Sequence, residues 1–201
     1  MKNYDRAFEI KDEIIRHRRH IHSNAEVGME LPKTAAYVKD ELEKLGYEAC
    51  FVGQSGVSAC LGESGKTILL RADMDALPMK EESGLPFACT KDICHACGHD
   101  IHAAILLGAA KILKEQEKEL KGRVKFMFQP GEELMQGAAD MVEAGILENP
   151  KVDCAVALHT KSTKERGIAY TPGVRYASCN NFSIKVKGVA AHGAMPYNGV
   201  D

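Results

Sequence analysis

The chain has 201 residues, 26 Lys+Arg against 28 Asp+Glu, and a formal net charge of -2, with 45% hydrophobic and 27% charged residues. That balance excludes disorder, and a chain of this size buries roughly 70% of its unfolded surface, so no disulfide scaffold is needed. Near-neutral charge argues against nucleic acid as the main partner. The longest apolar run, residues 103–110, is too short to span a bilayer. Residues 1–22 are charged throughout and lack the apolar core of a signal peptide. The seven cysteines, an odd number, therefore read as reduced thiols of a cytoplasmic protein.

Residues 4–22 predict an amphipathic helix carrying Phe8, Ile10, Ile14 and Ile15. Its basic run, Arg16 to His20, reads as a solvated helix face in preference to an anion site. A second helix starts near Pro32, places Ala35, Val38, Leu42 and Leu45 on one face, and stops at Gly46. Residues 47–52, 57–61 and 67–71 are short β-type runs. A loop over 77–96 leads into a helix at 100–115, followed by a strand at 123–129, a helix at 138–144 and a buried strand at 153–158. This alternation predicts an α/β fold with a mostly parallel or mixed central sheet and helices on both faces. From Ala177 the pattern changes, and residues 182–187 alternate as a strand with one wet face does. A domain boundary is therefore placed near Ala177, dividing residues 1–177 from 178–201.

Polar residues collect in four clusters, each after an apolar run. Asp73 and Asp75 follow the third strand, Cys97, Gly98, His99 and Asp100 open a helix, Glu132 and Glu133 follow a Pro-Gly turn, and His159 ends the last strand. Sites in open α/β sheets lie beyond the carboxyl ends of the strands, so dispersed clusters at such ends can converge on one pocket. Taken singly they are ambiguous. Asp73 and Asp75 fit a solvated strand end as well as a site, Asp100 has a plain capping or dipole role, and a lone His159 fits a satisfied core histidine. Cys97 and His99, two apart in a glycine-broken turn, suit Zn²⁺ or a similar transition metal. Adjacent carboxylates at 132–133 are costly to bury without cations. As a functional pair, one binds metal while the other takes a proton from metal-bound water. Cys94 and Cys97 also form a C-x-x-C at a helix start, a candidate redox dithiol, but that reading leaves Glu132, Glu133 and His159 unexplained.

The segments Leu70 to Pro78, His95 to His102, Phe128 to Glu133 with Gly137-Ala138, and Leu158-His159 together resemble the aminoacylase-type metalloamidohydrolases. That group includes hippurate hydrolase, N-acyl-L-amino acid amidohydrolases and plant indole-3-acetyl-amino acid hydrolases. The resemblance implies a zinc-exopeptidase-like catalytic domain and, after Ala177, the beginning of an inserted α+β lid or dimerisation domain. It implies Cys97, His99, Glu133 and His159 as ligands of a two-metal centre (Mn²⁺, Zn²⁺, Co²⁺ or Ni²⁺), Glu132 as general base, and Asp75 as the carboxylate that orients a ligand. His192 matches a histidine that helps stabilise the tetrahedral intermediate, often from the partner subunit. The implied activity is hydrolysis of the amide of a small N-acyl amino acid by a metal-activated water, in a protein that dimerises through its lid when full-length and engages neither nucleic acid nor membrane. A dipeptidase on the same scaffold, or a non-catalytic metal-binding or dimerisation module, are the alternatives.

Several positions depart from the family pattern: Ala25 for proline, Cys94 for methionine, Gly131 for alanine, and Ala190-Ala191 for a glycine pair. An oxidant joining Cys94 to Cys97 would remove a metal ligand. The family's chains also continue past the last of these motifs and supply a further histidine ligand there. The expectation is therefore a truncated chain that is inactive alone.

Overall fold

The computed structural model describes residues 3–163, 167–180 and 182–200. Contacts group the chain into two compact units, Met1–Ser162 and Thr163–Asp201.

In the first unit, helix α1 (Asn3–Glu9) is separated from α2 (Lys11–Ser23) by a turn at the buried Ile10, so the expected single helix is broken in two. Helix α3 (Pro32–Lys44) has proline in its first turn and buries Ala35, Val38 and Leu42. Strands β1 (Cys50–Val52), β2 (Gly56–Leu61) and β3 (Thr67–Asp73) come next, then α4 (His99–Glu115), β4 (Arg123–Gln129), α5 (Gly137–Glu143) and β5 (Cys154–Ala157). The five strands form one mixed sheet in the order β1-β2-β4-β3-β5. β3 runs parallel to both β4 and β5, whereas β2 is antiparallel to β1 and β4. The carboxyl ends of β3, β4 and β5 therefore share one edge of the sheet.

Period-two alternation divides β4 between the two faces. Val124, Phe126 and Phe128 join Val38, Leu42, Leu106 and Leu107 in the main core under α3 and α4, while Met127 packs with Leu69, Met141 and Ile146 on the α5 side. Full burial of Phe126 and Phe128 contributes about 1.5–3 kcal/mol each relative to exposure. Lys125, also buried, donates from Nζ to the carbonyls of Ile146, Glu148 and Pro150, which satisfies its charge inside the α5 face.

Two expectations change. Among the described residues β5 pairs only with β3, lies at the sheet edge and is exposed along its length; its apolar sequence alone suggests a buried strand. Residues 182–187 form no strand and are exposed, because an alternating segment becomes a strand only where an edge is available to pair with it. Among the described residues of the second unit, the β-pairing is a bridge between Val189 and Val200. No helix among the described residues is long and apolar enough to cross a membrane.

Candidate metal centre

All the clusters of the first unit meet at the shared carboxyl edge. Asp73 is the last residue of β3 and pairs in register with Gln129, the last of β4. Arg71 pairs with Ala157, two residues short of His159. The sheet therefore sets Asp73, the turn after β4 and His159 side by side, and α4 begins at His99 directly over them. Gly98 caps α4 with φ +87, and a Cβ there would lie 2.4 Å from Thr160 Oγ1, so the turn tolerates only glycine. Gly131 adopts φ +56 in the turn that carries Glu132 and Glu133.

Asp73, Asp75, His99 and His102 are buried to 1% exposure or less. Neither aspartate is a solvated strand end. Asp75 Oδ1 accepts from His99 Nδ1 at 3.2 Å, and its Oδ2 accepts from the Glu133 backbone N–H at 3.0 Å. One carboxylate thus orients two of the expected ligands. With Nδ1 committed to Asp75, His99 presents Nε2 as a lone pair, and that buried atom has no hydrogen-bond partner. It stands 3.7 Å from Asp73 Oδ2, 3.7 Å from Glu132 Oε2 and 3.8 Å from Glu133 Oε1. These separations are too long for hydrogen bonds. They are close to the spacing of two donors that share a cation through bonds of about 2.1 Å each. Asp73 Oδ2, buried and without a hydrogen-bond partner, is held by the Arg71 guanidinium at 2.8 Å.

Beside this group, Cys97 Sγ lies 3.4 Å from His159 Nε2. His159 Nδ1 donates to the Thr160 carbonyl at 2.6 Å, which again leaves Nε2 as the free lone pair. Among the described residues, ligand atoms gather in three overlapping sets: Cys97, His99 and His159; His99, Glu132 and Glu133; Asp73, His99 and His102. His99 belongs to all three. One thiol, imidazoles and carboxylates form a donor set for divalent transition metals, and an unpartnered buried imidazole nitrogen facing carboxylates fits a cation. The electrostatics agree. Burial and the Glu133 and Glu132 carboxylates push the Cys97 thiol up to about 11. Burial lowers the pKa of His99, but Asp75 and Asp73 outweigh it and the net shift is upward. A divalent cation would relieve this excess of negative charge and hold the sulfur as thiolate.

The sequence reading missed His102 and the partners of Asp73. His102 Nδ1 is 2.6 Å from Asp73 Oδ1, and His99 and His102 lie three residues apart on α4, a spacing that shares one helix face. Asp100 makes no side-chain cap. It is fully buried, and its Oδ2 accepts from Arg18 Nε at 2.7 Å and His22 Nδ1 at 2.8 Å. The basic run is solvated at Arg16, Arg19 and His20, as expected, but not at His17. His17 is buried against Tyr37, His20 stacks on Tyr37, and the Arg18 and Arg19 guanidinium groups cover Phe87. His192 lies in the second unit, exposed, with Nδ1 accepting from the Ala194 N–H at 3.2 Å. All seven cysteines, Cys94 and Cys97 included, are unpaired.

A mixed sheet with thiol, imidazole and carboxylate donors at the ends of its parallel strands belongs to a metal-site α/β protein, and comparisons with known proteins narrow this class. N-acetyl-L-cysteine deacetylase of Bacillus subtilis (strain 168) is 41% identical over 197 residues, covering 96% of this chain and 47% of that protein. N-acyl-L-amino acid amidohydrolase of Geobacillus stearothermophilus is 39% identical over 199 residues, covering 96% and 53%. The crystal structure of a dinuclear metal-binding M20 peptidase from Bacillus subtilis superposes with a TM-score of 0.71 at 39% identity, covering 75% of this chain and 43% of that one. Residues 69–198 match the model of peptidase family M20/M25/M40, and the chain belongs to that family. It spans about half the length of the curated relatives it matches.

Proposed function

We propose that this chain carries the metal-binding part of a metal-dependent amidohydrolase that cleaves the amide of small N-acyl amino acids. The observation that carries the reading is the buried, unpartnered Nε2 of His99 facing Glu132 and Glu133, with Cys97 and His159 beside it. Cys97, His99, Glu133 and His159 would hold two divalent ions. Bound there, such ions polarise a carbonyl and bring the pKa of water toward ~7.

The chain's own residues do the rest. Asp75 fixes the His99 tautomer and the Glu133 backbone together, so those ligands need little rearrangement. Glu132, with its side chain 37% exposed and not bonded to Asp75, is free to take a proton from water on its carboxylate and return it to the leaving amine. His192 would steady the developing oxyanion from the second unit, which we read as the beginning of a lid through which the whole protein dimerises. Names of the relatives support the substrate class, and seven free cysteines are consistent with a reducing, cytoplasmic setting.

The test is metal analysis plus a panel of benzoyl-, acetyl- and indoleacetyl-amino acids and dipeptides on the whole protein, with Glu132→Gln alongside. Metal retained with turnover lowered at least ~100-fold is expected for the variant. A near-wild-type rate would remove Glu132 from the base role. Hydrolysis of dipeptides alone would favour the dipeptidase, and bound metal without hydrolysis of any substrate would favour a binding module.

A further inference from the structure

Among the ligand atoms near His99, the ring of His102 differs from the others because both of its nitrogens are already used. Nδ1 faces Asp73 Oδ1 at 2.6 Å, and Nε2 receives the Thr160 backbone N–H at 2.9 Å. A backbone N–H only donates, so Nε2 must be the acceptor, and Nδ1 therefore carries the proton given to Asp73. Neither nitrogen is left for a cation, although the ring lies within a set of ligand atoms. The residue it grips, Thr160, follows His159 directly. Thr160 Oγ1 sits 3.0 Å from His102 Nε2 and 3.5 Å from the Cys97 carbonyl, in the space left by the missing Cβ of Gly98. The Thr160 carbonyl in turn takes the Nδ1 proton of His159, and the His159 ring stands edge-on to His102 at 4.5 Å between centroids.

We propose that His102 is a positioning residue: with Asp73 behind it and Thr160 in front, it clasps the exposed end of β5 to the Cys97-Gly98 turn and so aims His159 Nε2 at Cys97. Among the described residues β5 pairs with β3 on one side and its four residues are exposed, so little else in this unit fixes its carboxyl end. Without the clasp, the side-chain hydrogen bonds that hold this segment to the start of α4, among the described residues, are the long contacts of Thr160 Oγ1 with the Cys97 carbonyl at 3.5 Å and of Cys97 Sγ with His159 Nε2 at 3.4 Å. The inference rests on the metal-centre reading above, with Cys97 and His159 as co-ligands.

The experiment titrates the full chain with Co²⁺, whose thiolate charge-transfer and d–d absorption report directly on sulfur and imidazole coordination. Variants are His102→Leu, His102→Gln, His159→Ala and the two His102/His159 doubles. A lost supporting hydrogen bond of this kind weakens metal affinity about 10–100-fold. His102→Leu should therefore lose about that much and show the d–d spectrum of His159→Ala. The double His102→Leu/His159→Ala should bind no more weakly than His159→Ala alone, because His102 acts through His159. His102→Gln, whose Oε1 can still accept the Thr160 N–H, should recover most of the affinity. Additive losses, an unchanged His102→Leu, or a His102→Gln as weak as His159→Ala would overturn the clasp. If His102→Leu does not fold, His102→Gln and its double with His159→Ala decide the question by the same criteria. A wild-type chain that does not take up Co²⁺, or a His159→Ala with unchanged affinity, would instead overturn the metal-centre reading and the clasp with it. Retained His159 dependence with additive losses removes the clasp alone.

Discussion

Asp73, Asp75, His99 and His102 sit at 0–1% exposure and are bonded to one another between the end of β3 and α4, whereas Glu132 and Glu133 keep 37% and 27% of their side-chain surface in solvent and His159 is exposed just past the end of β5. The floor is thus a bonded network in which only Asp73 Oδ2 and His99 Nε2, of the side-chain polar atoms of these four residues, have no hydrogen-bond partner. The rim is a set of donors whose charges repel one another in the absence of a cation. Burying charge is tolerable only where hydrogen bonds and ion pairs compensate it, and here that compensation is concentrated under the ligands. The floor should therefore govern stability and ligand aim, and the rim should govern binding and chemistry with little influence on folding.

The sharpest way to break this division is acid. Against the cost of burial, the His102 hydrogen bond and the Arg71 guanidinium hold Asp73 at about 2, below the ~3.9 of an unfolded chain. A depressed pKa contributes stability above the unfolded value, and that contribution is lost as pH falls from about 4 to about 2. The loss should amount to about 2–3 kcal/mol. Urea midpoints measured across that range should fall for the wild type and stay flatter for Asp73→Asn; parallel profiles would show that Asp73 is not the group that matters. Next in size is Asp75→Asn, which leaves one acceptor for two donors. Zn²⁺ affinity, read by competition with a chelator, should drop about 10–100-fold with a modest change in melting temperature. An unchanged affinity would mean that His99 and Glu133 hold their places unaided. The smallest effect belongs to the rim. Glu133→Gln should shift metal-free stability by no more than about 0.5 kcal/mol, in either direction, by thermal denaturation. A loss comparable to the acid effect would erase the distinction between floor and rim.

Much of this was legible in the sequence where the signal is local. β4 occupies the expected 123–129, α4 starts one residue before its expected position, and α3 carries its apolar face as spaced. The four polar clusters also fall at strand ends and a helix start, so their convergence follows once three strands run parallel. What stayed hidden depends on partners distant in the chain. Asp100 finds His22 78 residues away and Asp73 finds His102 29 residues away, and no periodicity announces such pairs. The exposure of β5 and the unpaired 182–187 segment were illegible for a related reason. An apolar or alternating run specifies a face, and whether that face is covered depends on what packs there.

The pairing of Arg71 with Ala157 and of Asp73 with Gln129 has one more consequence, for how such a protein tolerates change. The register of β3 with its two parallel neighbours works as a ruler that sets three chain segments to the same height. An extra residue in the turn before β5 is harmless if it bulges outward. If it slides the strand by one, it carries His159 about 3.3 Å along the sheet and turns it to the opposite face. Insertions at the far end of the sheet are thus silent or ruinous according to whether the ladder slips, at a distance from any residue that takes part in chemistry.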